Sequence, residues 1–312
     1  MPTFHQSPVT NHQSLLVSLR DAIAQLEREH GPSATLAAEL LLMHALGRDR
    51  TWIYAHPEHE LDALARERYF SLVVQRASGV PTQYLTGHQE FWGLDFEVTP
   101  AVLIPRPETE HVLEVALERL GVSATGDAQR RHTEFRVADV GTGSGCIAIS
   151  LAHELPAARI VATDISPAAL EVARRNAAHH VVASRIEFIE CNLLDSVFHQ
   201  SPITIHQSLL FDLIASNPPY IGRSEAATLP REIREHEPEV ALFGGETATE
   251  IYAPLIAQAA GSLKPGGILV LELGHNSAEH VSRLLDTPEW ADVTLTKDLA
   301  GIPRVASARL QP

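Results

Sequence analysis

Asn217-Pro218-Pro219-Tyr220 stands directly after the apolar run Phe211-Asp212-Leu213-Ile214-Ala215-Ser216. The run reads as a strand, so the tetrad puts an amide side chain and proline-stiffened carbonyls at the carboxyl edge of a sheet. A planar NH2 group has two N–H donors, and the Asn217 side-chain oxygen and a nearby backbone carbonyl can each accept one. Proline fixes φ and carries no N–H, so these carbonyls point outward instead of feeding a helix. The Tyr220 ring can lie against the flat face of the target group. The chemistry these residues suit is transfer of a group to an amide or an aromatic amine.

A second constellation, Asp139-Val140-Gly141-Thr142-Gly143-Ser144-Gly145, lies between a predicted strand and a predicted helix. Glycines there permit a tight turn and let a ligand approach the backbone with no Cβ in the way. The helix start adds free N–H groups. Asp164 closes the next predicted strand, 23 residues after Gly141, where a carboxylate can accept hydrogen bonds from ribose hydroxyls. A nicotinamide enzyme prefers G-x-G-x-x-G, and position 146 is Cys, not Gly. The spacing present, G-x-G-x-G, resembles the first motif of class I methyltransferases. The tetrad has no role in hydride transfer and tips the choice to methyl transfer.

The elements that must hold these residues follow from periodicity. Leu15, Leu19, Ile23 and Leu26, then Leu36, Leu40 and Leu41, fall at helical spacing. Gly31-Pro32 separates the two helices and Ser33 can cap the second. A third helix is predicted over 61–78, ended by Gly79-Val80-Pro81. Residues 1–85 therefore read as a small helical domain and 86–104 as a β-hairpin linker with Gly93 at its turn. A helix capped by Thr109 follows. From 136 the pattern alternates strand and helix, with strands at 136–140, 160–164, 186–190, 211–216 and 267–273 and two late strands near 292–297 and 305–310. This is α/β, a doubly wound, mostly parallel sheet over 105–312, with ligands expected at the carboxyl ends of its strands.

Composition narrows the partners. Lys and Arg number 24 against 39 Asp and Glu, for a net charge of −15. Residues 1–86 hold 7 basic and 9 acidic side chains, so nearly all the excess lies beyond them. A nucleic-acid enzyme usually displays a basic face, so the charge counts against such a substrate. No apolar stretch reaches about 18 residues, and residues 1–14 lack a signal pattern; the expected setting is cytoplasmic, with no membrane partner. Cys146 and Cys191 are the only cysteines and are expected to be buried free thiols. Among 17 histidines the closest metal-like spacing is His56-x-x-His59, read as surface residues, with no metal. His5–Leu16 and His199–Leu210 are identical at ten of twelve positions; two copies make no solenoid and read as a duplication tolerated in a loop.

The Gly-rich turn, the acidic strand end and the tetrad together resemble the protein N5-glutamine methyltransferases that modify peptide chain release factors. Pro81-Thr82-Gln83-Tyr84-Leu85-Thr86-Gly87 and Phe91-Trp92-Gly93-Leu94-Asp95-Phe96 are similar to that family's linker, and Val102-Leu103-Ile104-Pro105-Arg106-Pro107-Glu108-Thr109-Glu110 to the start of its catalytic domain. The last is the most specific signal, since Asn-Pro-Pro-Tyr is shared with adenine-N6 DNA methyltransferases. The resemblance implies a Rossmann-like class I methyltransferase sheet and S-adenosylmethionine as cofactor, with S-adenosylhomocysteine as product. It implies the glutamine of a Gly-Gly-Gln motif as target, release factors as partners, a helical domain that docks them, and a monomer. Gly141, Thr142, Gly143, Ser144 and Gly145 would hold the methionine part, Asp164 the ribose, and Asn192 and Leu193 the adenine. Asn217 would face both donor and amide, with Pro218, Pro219 and Tyr220 completing the substrate site, and Glu108 and Glu237 shaping it. Cys191-Asn192 replaces the family's Gly-Asp, Glu246-Thr247-Ala248-Thr249 a Gly-containing stretch, and Ser277 a common Gln. Alternatives left by the catalytic motifs are a ribosomal-protein glutamine methyltransferase, an adenine-N6 nucleic-acid methyltransferase that flips its base out, and a protein that only senses S-adenosylmethionine.

Overall fold

A computed structural model describes residues 14–30, 33–122, 128–195, 197 and 210–312. The Gly31-Pro32 break and nearly all of the duplicated HQSP segments lie outside the described residues. The chain divides into two compact units, Met1–Gly87 and His88–Pro312.

The first unit is helical. Its helices are Leu15–His30, Ala34–Leu46, Arg50–Ala55, Ala63–Ala77 and Thr82–Thr86. Leu19, Leu26, Leu41, Leu42, Tyr69 and Val73 are buried together, as the helical spacing requires. Tyr69 donates its hydroxyl to the Ala38 carbonyl at 3.1 Å, so the buried phenol is satisfied. Asp49 and Asp62 cap two of the helices by accepting from Trp52 N and Ala65 N. Ser33 sits before Ala34–Leu46 in helical conformation and makes no side-chain cap bond. His56 stacks on Trp52 at 4.7 Å and His59 meets the same ring edge-on at 5.0 Å.

The second unit opens with a hairpin, β1 (His88–Phe91) and β2 (Leu94–Glu97), turned by Trp92 and Gly93, both at positive φ. Phe91 and Phe96 are buried in this unit's core. Asn176 fixes the hairpin: its Oδ1 accepts from Glu97 N and its Nδ2 donates to Glu97 O and Ser144 O. The hairpin predicted as a linker is thus tied to the Gly-rich turn.

The main sheet comprises β3 (Arg136–Val140), β4 (Arg159–Asp164), β5 (Ile186–Glu190), β6 (Phe211–Ser216), β7 (Leu263–Glu272), β8 (Trp290–Lys297) and β9 (Pro303–Leu310). Their spatial order is β5-β4-β3-β6-β7-β9-β8. The first five in that order run parallel, and β9 and β8 are antiparallel additions. Successive strand residues face opposite ways, so Val137, Leu213, Ala215 and Val270 join one core while Ala138, Val140, Ile214 and Leu271 join the other. Helices Glu110–Arg119 and Cys146–Glu154 cover the first face, and Tyr252–Ser262 and Ala278–Leu285 the second. Burial on both faces explains the near-continuous apolar runs of β3, β6 and β7. The chain reverses direction across the sheet between β3 and β6, which opens a crevice at their carboxyl ends.

Candidate active site

The crevice is a cavity of about 250 Å³. Its floor begins at the end of β3. Asp139, fully buried, accepts from the Thr142 hydroxyl at 2.6 Å and from Ala148 N at 3.0 Å, both on the same oxygen. One carboxylate thereby folds the Gly-rich turn onto the start of the next helix. Burial pushes the Asp139 carboxyl up to about 7, against the pull of those two donors. Gly141 and Gly143 take φ of +73° and +56°, the left-handed region that a side chain resists. At Gly143 an added Cβ would meet nothing within 4 Å, so the turn's outer surface faces open space.

Asp164, at the end of β4, accepts from Gly143 N at 2.9 Å on one oxygen and from Ser166 N at 2.8 Å on the other. Burial raises its pKa, and the Ser166, Gly143 and Ile165 amides oppose the rise. Each oxygen keeps further acceptor capacity toward the cavity. Beyond β5, Asn192 is exposed at the cavity and Leu193, at φ +54°, is held by its carbonyl, which accepts from the Thr163 hydroxyl at 2.8 Å.

The tetrad enters from β6. Val140 pairs with Ser216, and the buried Ser216 hydroxyl donates to the Val140 carbonyl at 2.7 Å. Asn217 therefore leaves the sheet beside Gly141. Its Nδ2 donates to the Thr109 hydroxyl at 2.9 Å. Thr109 ends a single 3₁₀ turn, Pro107–Thr109, ahead of helix Glu110–Arg119, and makes no side-chain cap bond there; its predicted capping role is replaced by this contact. After Tyr220 the chain is strapped down by Ile221 N to Leu242 O and Gly244 N to Ile221 O, both at 3.0 Å. A Cβ on Gly244 would come to 2.1 Å of the Pro219 carbonyl, so only glycine lets the strap approach.

Gly141, Thr142, Gly143, Asp164, Asn192, Leu193, Asn217 and Pro219 all line this one cavity. Ser144 and Gly145 do not. Ser144 is buried with its carbonyl on Asn176, and Gly145 packs on Ile149 and Ala173. Pro218 is buried beside the cavity. Tyr220 does not line it either; its hydroxyl donates to Glu272 Oε1 at 3.0 Å, and its ring packs on the second core. Expected to lie flat on a target, the tyrosine instead reaches into the wall, because a buried carboxylate offers its phenol a partner. Burial and the Glu272 charge raise the Tyr220 pKa. Cys146 and Cys191 are buried in the lining and in no disulfide, and the Cys191 thiol donates to the Leu193 carbonyl at 3.3 Å.

Sequence reasoning missed Arg106, Phe243, Val240 and Cys146 in the lining. Arg106 forms a short ion pair with buried Glu237, whose pKa burial raises and Arg106 lowers. Glu108 is exposed in the 3₁₀ turn. Glu272, buried at the end of β7, was also missed, although a lone acid closing the run Ile268-Leu269-Val270-Leu271 is a visible signal. Among the described residues no cluster of His, Cys, Asp or Glu is arranged to hold a metal ion, and no helix is long and apolar enough to cross a membrane.

This strand order, with a Gly-rich turn after the strand at the reversal point and an acid ending its neighbour, defines a class I methyltransferase with a Rossmann-like fold. The fold is shared with the catalytic domain of hMettl16 in complex with MAT2A 3'UTR hairpin 6, at a TM-score of 0.53 and 18% identity over 77% of this chain and 81% of that one. Residues 127–236 match the family described as methyltransferase small domain, and residues 18–87 the one described as PrmC N-terminal domain. A release factor glutamine methyltransferase of Koribacter versatilis is 43% identical over 288 residues, spanning 92% of this chain and 95% of its own length. One of Chlorobaculum tepidum is 41% identical over 298 residues, spanning 96% and 98%. The chain belongs to the release factor glutamine methyltransferase family.

Proposed function

We propose that the chain methylates the side-chain amide nitrogen of the glutamine in the Gly-Gly-Gln motif of peptide chain release factors, with S-adenosylmethionine as donor. One observation carries this reading: Gly141, Asp164 and Asn217, from three neighbouring strand ends, line a single cavity. The residues fit the donor. The open surface of Gly143 admits a ligand against the backbone, and the Asp164 carboxylate retains acceptor capacity for a ribose diol. Asn192 and Leu193 stand where an adenine would be flanked. S-adenosylmethionine supplies, when bound, a methyl group on a sulfonium, open to in-line displacement.

The remaining chemistry belongs to the protein. A glutamine amide nitrogen is a poor nucleophile because its lone pair is shared with the carbonyl. Asn217 Oδ1 accepts one of its N–H groups and the Pro218 carbonyl the other, which aims the nitrogen and stabilises the positive charge that grows on it. Alignment of donor and amide in the one cavity supplies most of the remaining gain. No strong base is needed, because the proton leaves after transfer. The Met1–Gly87 unit, which carries none of the catalytic motifs, docks the release factor. The acidic balance fits a protein substrate better than a polyphosphate one.

Labelled S-adenosylmethionine incubated side by side with purified release factor, ribosomal proteins and DNA tests this, with peptide mass spectrometry to locate the label. Label on the Gly-Gly-Gln glutamine is the expected result. Label only on a ribosomal protein or on adenine would replace the reading.

A further inference from the structure

Leu193 lines the cavity at φ +54°, in the left-handed region. A branched side chain resists that region because its Cβ crowds the following carbonyl oxygen. Such a conformation persists only where the surroundings fix it from more than one side. In the proposed complex the turn carrying Leu193 flanks an adenine, so whatever holds the turn bears on the cofactor.

Part of the hold comes from the sheet. The turn leaves β5 with Cys191 N on the Asp164 carbonyl at 3.0 Å. The Leu193 carbonyl accepts from the Thr163 hydroxyl at 2.8 Å and from the Cys191 thiol at 3.3 Å, both on buried residues. Asp195 N closes the turn on the Asn192 carbonyl at 3.1 Å.

The other side is held from helix Tyr252–Ser262, which covers the second face of the sheet. Gln258 Oε1 accepts from Leu194 N at 2.8 Å, and Gln258 Nε2 donates to Asp195 Oδ1 at 2.6 Å. Both partners fix this orientation of the amide. A backbone N–H only donates and a carboxylate only accepts, so the reversed amide would be repelled at both ends. The peptide group between Leu193 and Leu194 is therefore gripped at its oxygen by Thr163 and at its nitrogen by Gln258. A peptide group is planar, so two grips at opposite ends set its plane, and with it the backbone rotation of Leu193. Gln258 is half-buried, and neither it nor Asp195 lines the cavity.

We propose that Gln258 is a positioning residue for the donor's adenine, holding the Asn192–Leu193 turn in the strained conformation that flanks the base. The proposal rests on the reading of S-adenosylmethionine as donor, with its adenine at Asn192 and Leu193. Gln258 acts on affinity for the donor and leaves the transfer step alone, because it touches neither the tetrad nor the Gly-rich turn. Asp195 serves as the counterpart that keeps the amide oxygen on Leu194 N.

Gln258→Glu, Asp195→Asn and the two together, made in the full chain, test this by the calorimetric Kd for S-adenosylmethionine. Gln258→Glu keeps the size of the side chain but sets two carboxylates against each other, and the grip on Leu194 N is lost. We expect Kd to rise about tenfold, the scale of one net hydrogen bond, while kcat at saturating donor stays within about twofold. Asp195→Asn alone can turn its amide oxygen to Gln258, and Kd should stay within about threefold of wild type. In the double variant one glutamate oxygen accepts from Leu194 N and the other from the introduced asparagine amide, which returns Kd to within about threefold. A packing role would show no such dependence on position 195. Wild-type affinity in Gln258→Glu would overturn the proposal. So would a double variant as weak as Gln258→Glu, or a Kd that merely follows a fall in melting temperature across the three variants. A wild type that does not bind S-adenosylmethionine would refute the donor and this proposal together, whereas binding by the wild type with no effect at position 258 would overturn the proposal alone.

Discussion

Replacing Asp164 by Ala removes a carboxylate that does two things. In the protein it ties Gly143 N and Ser166 N, at 2.9 and 2.8 Å. In the proposed complex its remaining lone pairs meet two ribose hydroxyls. Hydrogen bonds to a charged group are each worth about 1.5–3 kcal/mol net, so the two ribose contacts together come to at least about 3 kcal/mol. That corresponds to a loss of roughly 150-fold in affinity at 1.4 kcal/mol per decade. Losing the clamp on Gly143 adds to the loss, because the turn must then be ordered by the ligand itself. Titration calorimetry with S-adenosylmethionine should give a Kd raised by about two decades or more. The rate at saturating cofactor should change much less, since Asp164 touches neither the target amide nor the reacting methyl. A melting curve guards against a collapsed turn. If the variant binds with wild-type affinity, the ribose is held elsewhere and the assignment of Asp164 is wrong.

Asn217→Ala should leave cofactor affinity within a fewfold and lower turnover about a hundredfold or more, the scale of a lost transition-state acceptor; near-normal turnover would remove Asn217 from the mechanism. Deleting residues 1–85 should abolish methylation of intact release factor while calorimetry still detects cofactor binding, and full activity of the truncated chain would rule out docking by the helical unit. Asp139, raised from an ordinary 3.8 to about 7 in the fold, binds its proton more tightly folded than unfolded. Its contribution to stability is therefore fully present below about pH 4 and is lost as pH rises to about 7. Asp139→Asn should remove that slope. From about pH 5.5 to 8 the wild type should lose about 2 kcal/mol relative to the variant, measured by denaturant unfolding of Trp92 and Trp290 fluorescence in a Trp52→Phe background. Parallel pH profiles for the two proteins would mean that Asp139 is ionised throughout.

The sheet was readable from sequence because its central strands are buried on both faces and therefore written as short apolar runs, each ending in a loop of chemical residues. Every predicted strand from β3 to β9 is present, with shifted ends where β7 begins at Leu263 and β8 at Trp290. The short helices Arg50–Ala55, Arg231–His236 and Glu239–Leu242 were not legible, since one or two turns carry too few apolar positions to show a period. In the site, residues acting through backbone geometry at a strand end were visible in their spacing: Gly141, Gly143, Asp164 and Asn217. Those acting across the fold were not. Thr109 lies 108 residues from the amide it receives, and local sequence offered it a nearer task as a helix cap. Tyr220 was visible as a ring, but nothing near it in sequence announced Glu272, 52 residues on.

The ladder between β3 and β6 has a consequence for how such an enzyme can change. Val140 opposite Ser216, locked by the Ser216 hydroxyl, sets the separation of the Gly-rich turn from Asn217 by one interstrand step. That step is common to every parallel sheet and cannot be tuned by substitution. The gap a methyl group must cross is therefore a fixed gauge, inherited with the fold, and any nitrogen brought to Asn217 at the right height fits it. A lineage could exchange one amine-bearing substrate for another by redrawing the strap after Tyr220 or the helical unit, leaving the gauge as it stands. In such a family, divergence of targets should be recorded in the loops and appended helices, while the facing ends of β3 and β6 stay silent about which molecule is modified.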